Sequence, residues 1–131
     1  SIEVDVYLGY GSNGAGIILR NMVSSDHEVI FWLYGSSRGL NETWLRTEKY
    51  VVEERQIEDK LKSPLHIRAE VDGPIFTTYV NGEKVSKFSD PAYEANKTKT
   101  YDVGLAIEYF GNVHKRVTFD NFKVKEHNAN T

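Results

Sequence analysis

The sequence has 131 residues, 40% of them hydrophobic and 27% charged, with a formal net charge of −3 and no cysteine. A chain of this size and composition can bury its own core, so residues 1–131 are read as one domain. Disulfides, thiolate catalysis and cysteine-ligated zinc are excluded, and the mixed, slightly acidic charge offers no basic face to nucleic acid.

In chain order, the dominant signal is alternation of apolar and polar residues. The chain opens at Ser1-Ile2-Glu3-Val4, already alternating, as expected of a piece cut from a larger polypeptide. Ile2, Val4, Val6 and Leu8 alternate with Glu3, Asp5 and Tyr7, and on a strand this gathers the two carboxylates on one face. Gly9-Tyr10-Gly11-Ser12-Asn13-Gly14 matches a dinucleotide-binding glycine pattern. That use needs a helix N-terminus behind the glycines, whereas the following AGIILR is strand-like, so the stretch reads as a hairpin loop. Ala15, Ile17 and Leu19 then alternate with Gly16, Ile18 and Arg20. If the first two runs pair, Arg20 comes to the Glu3/Asp5 side, as a ligand contact or in a cross-strand ion pair. Val29, Phe31 and Leu33 share one face of the third run, and Ile30, Trp32 and Tyr34 the other. Aromatics on that outward parity are platforms for sugar rings or parts of a second packing surface. Trp44 and Arg46 share a parity in the next run and are grouped with them.

Tyr50 to Lys62 reads as a strand end followed by a short helix near residues 54–60. Leu65, Ile67, Ala69 and Val71, then Phe76, Thr78 and Val80, resume the alternation. Asn81-Gly82 breaks it as a two-residue type I′ turn, which needs φ > 0 at both central positions. A polar loop with Pro91 follows over residues 89–100, and two last runs contain Val103, Leu105 and Ile107 and span Val117 to Val124. Short strands separated by turn chemistry at about 10 to 15 residues predict an antiparallel two-sheet sandwich or a barrel. The longest apolar run, Val29 to Tyr34, is far shorter than the ~20 residues of a spanning helix, so no membrane insertion is expected.

Few residues suggest chemistry of their own. His27, His66, His114 and His127 lack metal-ligand spacing, and no calcium-loop motif is present. No cofactor is therefore expected, although scattered loop oxygens leave a structural calcium open. Asn41-Glu42-Thr43 and Asn96-Lys97-Thr98 fit the glycosylation sequon. Retaining β-glucanases on a jelly-roll scaffold use a strand reading E-x-D-x-E or E-x-D-x-x-E, whose last Glu is the acid/base. Here Glu3 and Asp5 are followed at those positions by Tyr7 and Leu8, so the second carboxylate is missing and an enzyme is not expected.

The order EVDVYLGYGSNGAGIILRN, EVIFWLYG, LHIRAEVDGPIFTTYVNGEKVSKFSDP and DVGLAIEYFGNVHKRVTFDNFKV resembles a concanavalin A-like, or laminin G-like, jelly roll. Within that superfamily it is most similar to the group of fructan-type carbohydrate-binding modules and 3-keto-disaccharide hydrolase-like domains. The resemblance implies an all-β antiparallel two-sheet jelly-roll sandwich, with one or two further strands usual before Ile2. It also implies a glycan held on the concave face of an extracellular or cell-surface module. By position it assigns Glu3, Asp5 and Arg20 to the polar cluster that grips sugar hydroxyls, with Trp32, Tyr34, Trp44 and Arg46 as further contacts. A protein-interaction, structural or sensor ectodomain of the same fold is the alternative, with a partner protein in place of the glycan, since fold does not fix function.

Overall fold

A computed structural model describes residues 1–7, 13–22, 27–36, 39–47, 50–56, 64–90, 102–109 and 117–126. These contain ten strands: β1 (Ile2–Tyr7), β2 (Asn13–Met22), β3 (His27–Ser36), β4 (Gly39–Thr47), β5 (Tyr50–Gln56), β6 (Leu65–Asp72), β7 (Ile75–Val80), β8 (Glu83–Ser89), β9 (Asp102–Tyr109) and β10 (Thr118–Val124). They form two five-stranded sheets. Sheet A has the order β10-β1-β6-β7-β8, and sheet B the order β5-β4-β3-β2-β9. Every pairing is antiparallel. The expected all-β two-sheet sandwich is the observed architecture.

The alternation in sequence becomes the two faces of each sheet. From sheet A, Ile2, Val4, Val6, Leu65, Ile67, Ala69, Phe76 and Val80 point inward. From sheet B, Ala15, Ile17, Leu19, Val29, Phe31 and Leu33 meet them in one buried cluster. The hydroxyls of Thr78 and Ser86 are buried at the side of this core and hydrogen-bond to each other, so neither loses water without a replacement partner.

Two turns set the register of sheet A. Asn81 and Gly82 both take positive φ, 49° and 83°, and join β7 to β8 with Val80 opposite Glu83. The predicted hairpin corner is present. Between β6 and β7, Gly73 has φ 57° and precedes Pro74, the residue pattern of a type II′ turn.

Two expectations fail. Residues 50–56 form β5, an edge strand paired with β4, so the helix expected near 54–60 is absent over 54–56; residues 57–60 lie outside the described part. The charges of Glu53, Glu54 and Arg55 suit an edge, where they discourage further pairing, and that pattern was read as helical. Also, β1 and β2 are not a hairpin. The chain leaves sheet A after β1 and enters sheet B at β2, while β1 pairs with β10 and β6.

Candidate functional site

The seven residues singled out in the sequence are distributed over three places. Glu3 and Asp5 lie on the outer face of sheet A. Arg20 lies between the sheets. Trp32 lies on the outer face of sheet B, and Tyr34, Trp44 and Arg46 take register positions of the same parity on β3 and β4.

Arg20 reaches the interior because β2 carries a bulge. Ile18 pairs with Ile30 and Arg20 with Val29, leaving Leu19 as the extra residue. Strand side chains change face with every residue, so one inserted residue reverses the parity beyond it. Arg20, outward by simple alternation, therefore shares the inner face with Val29 and is 3% exposed. Its Nη1 donates to Asp90 Oδ2 at 3.3 Å and its Nη2 to the Gly73 carbonyl at 3.0 Å. Its guanidinium carbon lies 4.9 Å from the centre of the Phe76 ring. Arg20 thus ties sheet B to the β6–β7 turn and to the residue after β8. The expected grouping with Glu3 and Asp5 is overturned by the bulge and by the separation of β1 from β2.

On sheet A, β1 runs between β10 and β6, and its outward carboxylates meet one histidine. His66 Nδ1 lies 2.7 Å from Asp5 Oδ1, and His66 Nε2 lies 2.9 Å from Glu3 Oε2. The other oxygen of Asp5 accepts from Asn121 Nδ2 at 2.8 Å. Asn121 has φ 55° and sits where β10 slips by one residue between the pairs Glu3–Lys123 and Asp5–Asp120. A bulge re-aims side chains, and this one brings the amide to Asp5. The Asn121 hydrogen bond, followed by that of His66, holds the Asp5 carboxyl below its ordinary value of 3.8. Further along the face, Arg68 pairs with Glu70 and stacks on the Tyr79 ring at 4.0 Å.

Sheet B presents a different set. Ile30 is paired with Arg46, Trp32 with Trp44 and Tyr34 with Glu42; Trp44 and Glu42 are paired in turn with Glu54 and Gln56 of β5. All four aromatic and guanidinium candidates on this sheet thus occupy register positions of one parity on neighbouring strands, that of the outer face. Trp32 is 5% exposed, so it forms part of the floor of that face and does not offer an open ring. It is seated over Gly16, its cross-strand partner: a Cβ there would stand 2.7 Å from the Phe31 carbonyl oxygen and 3.0 Å from Trp32 Cε3.

Sequence reasoning missed His66, Asn121, Asp90 and Gly73. His66 carried a signal, since its outward parity on β6 matches that of Glu3 and Asp5. Asn121 carried none, because its role depends on a bulge against a strand over 100 residues away in sequence. Among the described residues no group of three or more His, Asp or Glu side chains is arranged to hold a metal ion. Asn96, His114 and His127 lie outside the described residues.

The fold is that of the galectin jelly roll. A double mutant of congerin II superposes with a TM-score of 0.55 at 15% identity, over 93% of this chain and 89% of that one. Sheep galectin-11, in complex with glycerol, superposes with a TM-score of 0.51 at 12% identity, over 90% of this chain and 88% of that one. No protein-family model matches the sequence, and no curated relative does. The finer resemblance to fructan-type modules rests on the sequence motifs alone.

Proposed function

We propose that the domain is a non-catalytic, lectin-like module of the cell exterior or cell surface that takes a saccharide on the outer face of sheet B, across β3, β4 and β5. The observation that carries this reading is the register that gathers Trp32, Tyr34, Trp44 and Arg46 with Glu42, Glu54 and Gln56. Vicinal sugar hydroxyls offer paired donors and acceptors. A planar guanidinium donates to two of them at once, carboxylates and amides accept and donate beside it, and aromatic surface covers the apolar face of the ring. The shared galectin fold supports the same reading. Glu3, Asp5 and Arg20 take no part in it, because the first two are on the opposite face and the third is enclosed. Glu3 and Asp5 are instead engaged by His66 on that opposite face.

Glycan-array screening followed by calorimetry tests this. Binding to at least one saccharide is expected, weakened about tenfold or more by Arg46→Ala, the loss that follows from removing a charged hydrogen bond of about 1.5–3 kcal/mol. Absence of binding to any saccharide, or binding untouched by both Arg46→Ala and Trp44→Ala, sinks the assignment. A protein partner is the second reading. It is favoured by large apolar side chains exposed along the β1/β10 edge: Tyr7, Phe122 and Val124, the last 54% exposed. Concentration-dependent sedimentation abolished by Phe122→Asp, in a protein that binds no glycan, would select it.

A further inference from the structure

We infer that His66 is a proton-controlled rivet on the outer face of sheet A: its imidazolium form bonds Glu3 and Asp5 together across β1 and β6, and loss of one proton releases Glu3. The inference concerns the sheet opposite the proposed saccharide face and stands or falls independently of it.

The geometry carries it. A neutral imidazole has one N–H and one lone pair, whereas an imidazolium has two N–H groups. His66 has a carboxylate oxygen at hydrogen-bond distance from each nitrogen, 2.7 Å at Nδ1 and 2.9 Å at Nε2. Both contacts are attractive only in the doubly protonated ring. The histidine is also fixed from behind. Its backbone N–H donates to Asn81 Oδ1 at 2.9 Å, and its carbonyl accepts from the Asn81 N–H at 2.7 Å. These two bonds fix the backbone from which the ring projects.

The order of release follows from the second hold on Asp5. Asn121 secures the far oxygen of that carboxylate from β10, so Asp5 stays in place and keeps the Nδ1 proton. Upon deprotonation the Nε2 proton passes to solvent, leaving a lone pair facing Glu3 Oε2, and that contact turns repulsive. The other described charged and titratable groups around the ring do not replace it. On β6 itself, Arg68 stands opposite Glu3 in register but is engaged by Glu70 and the Tyr79 ring. From β7, the Tyr79 hydroxyl is directed to Glu70 at 3.4 Å. From β10, Asp120 adds negative charge and is occupied by the Asn121 N–H, and Lys123 pairs in register with Glu3 from the opposite side. Only the doubly protonated ring has a donor for each carboxylate, so the rivet belongs to acidic conditions and is undone in alkaline ones.

Thermal melts of the whole domain at pH 5.5 and pH 8.5 test it, comparing wild type, His66→Gln and Glu3→Gln. The ring is partly exposed, with a side-chain accessibility of 43%, so the effect is that of a screened pair. The wild-type melting temperature is expected to fall by about 2–4 °C more than that of His66→Gln between the two pH values. Glu3→Gln, which keeps an acceptor but removes the charge, is expected to reduce the difference by about half. Equal pH slopes in wild type and His66→Gln would overturn the inference. Should His66→Gln fail to fold, wild-type proton NMR decides. Two imidazolium N–H resonances visible at pH 5.5 and lost on raising the pH support the rivet, and a single ring N–H across that range refutes it.

Discussion

Arg20 is a charge enclosed between two hydrophobic sheets, and its neighbours show how that is sustained. Asp90 neutralises it, the Gly73 carbonyl takes a second donor and the Phe76 ring lies within cation–π distance. A buried pair adds little net stability over apolar residues of similar shape, but breaking it strands the survivor in a low-dielectric site. Arg20→Met is therefore expected to cost about 3–5 kcal/mol in denaturant unfolding, while Arg20→Met combined with Asp90→Leu recovers most of that loss. Asp5 gives the opposite case, a charge on an accessible face. Its carboxyl is held low chiefly by Asn121 and then by His66. A depressed carboxylate contributes stability fully above its unfolded value, and the contribution disappears as pH falls through the folded one. Asn121→Ala should return the Asp5 carboxyl toward 3.8 in a carbon-detected NMR titration and move acid unfolding to higher pH.

The β7–β8 hairpin depends on backbone conformations few residues tolerate. Gly82 has open space where a side chain would stand, so a substitution is opposed by its φ of 83° alone. Gly82→Val is expected to destabilise the domain by about 1–2 kcal/mol, the cost of left-handed backbone in a residue with a Cβ. A melting temperature equal to wild type would contradict that origin. The turn was legible in the sequence because its two residues are its cause. The inward sets of β1, β6 and β7 were legible for the same reason, since alternation is a local property. The bulges at Leu19 and Asn121 were not, because a bulge is fixed by how a strand meets partners brought from elsewhere in the chain. β5 was misread because the charged residues that protect a sheet edge also suit the solvent face of a helix. No local pattern separates the two until β4 supplies a ladder.

Across the whole molecule, alternation predicted the sandwich but not which strands share a sheet. β1 has neighbours drawn from residues 65–72 and 118–124, and pairing at that separation leaves no mark within a short window. This is why the expected site came apart. Glu3, Asp5 and Arg20 were gathered on the assumption that consecutive runs pair, whereas the chain crosses from sheet A to sheet B between them. Trp32, Tyr34, Trp44 and Arg46 share a register parity because β3 and β4 are consecutive and do pair. The same crossing gives the domain two chemically different exteriors. On sheet B the outward parity holds the register positions of Trp32, Tyr34, Trp44 and Arg46, and on sheet A the exposed face is a ladder of carboxylates, histidine and arginine.

The pairing of β1 with β10 also decides how the fold answers to mechanical load. The Ser1 amino group donates to the Lys125 carbonyl at 2.6 Å, and the Lys125 N–H donates to the Ser1 carbonyl at 2.8 Å. Ser1 and Lys125 thus stand across from each other at one end of an antiparallel pair. Tension applied through residues 1 and 125 does not shear all the rungs at once. It loads the first rung alone, then the next, and peels β10 away from β1 as a zipper opens. Under stretching the domain should yield at this seam at low force, with the tightly packed strands of sheet B still closed.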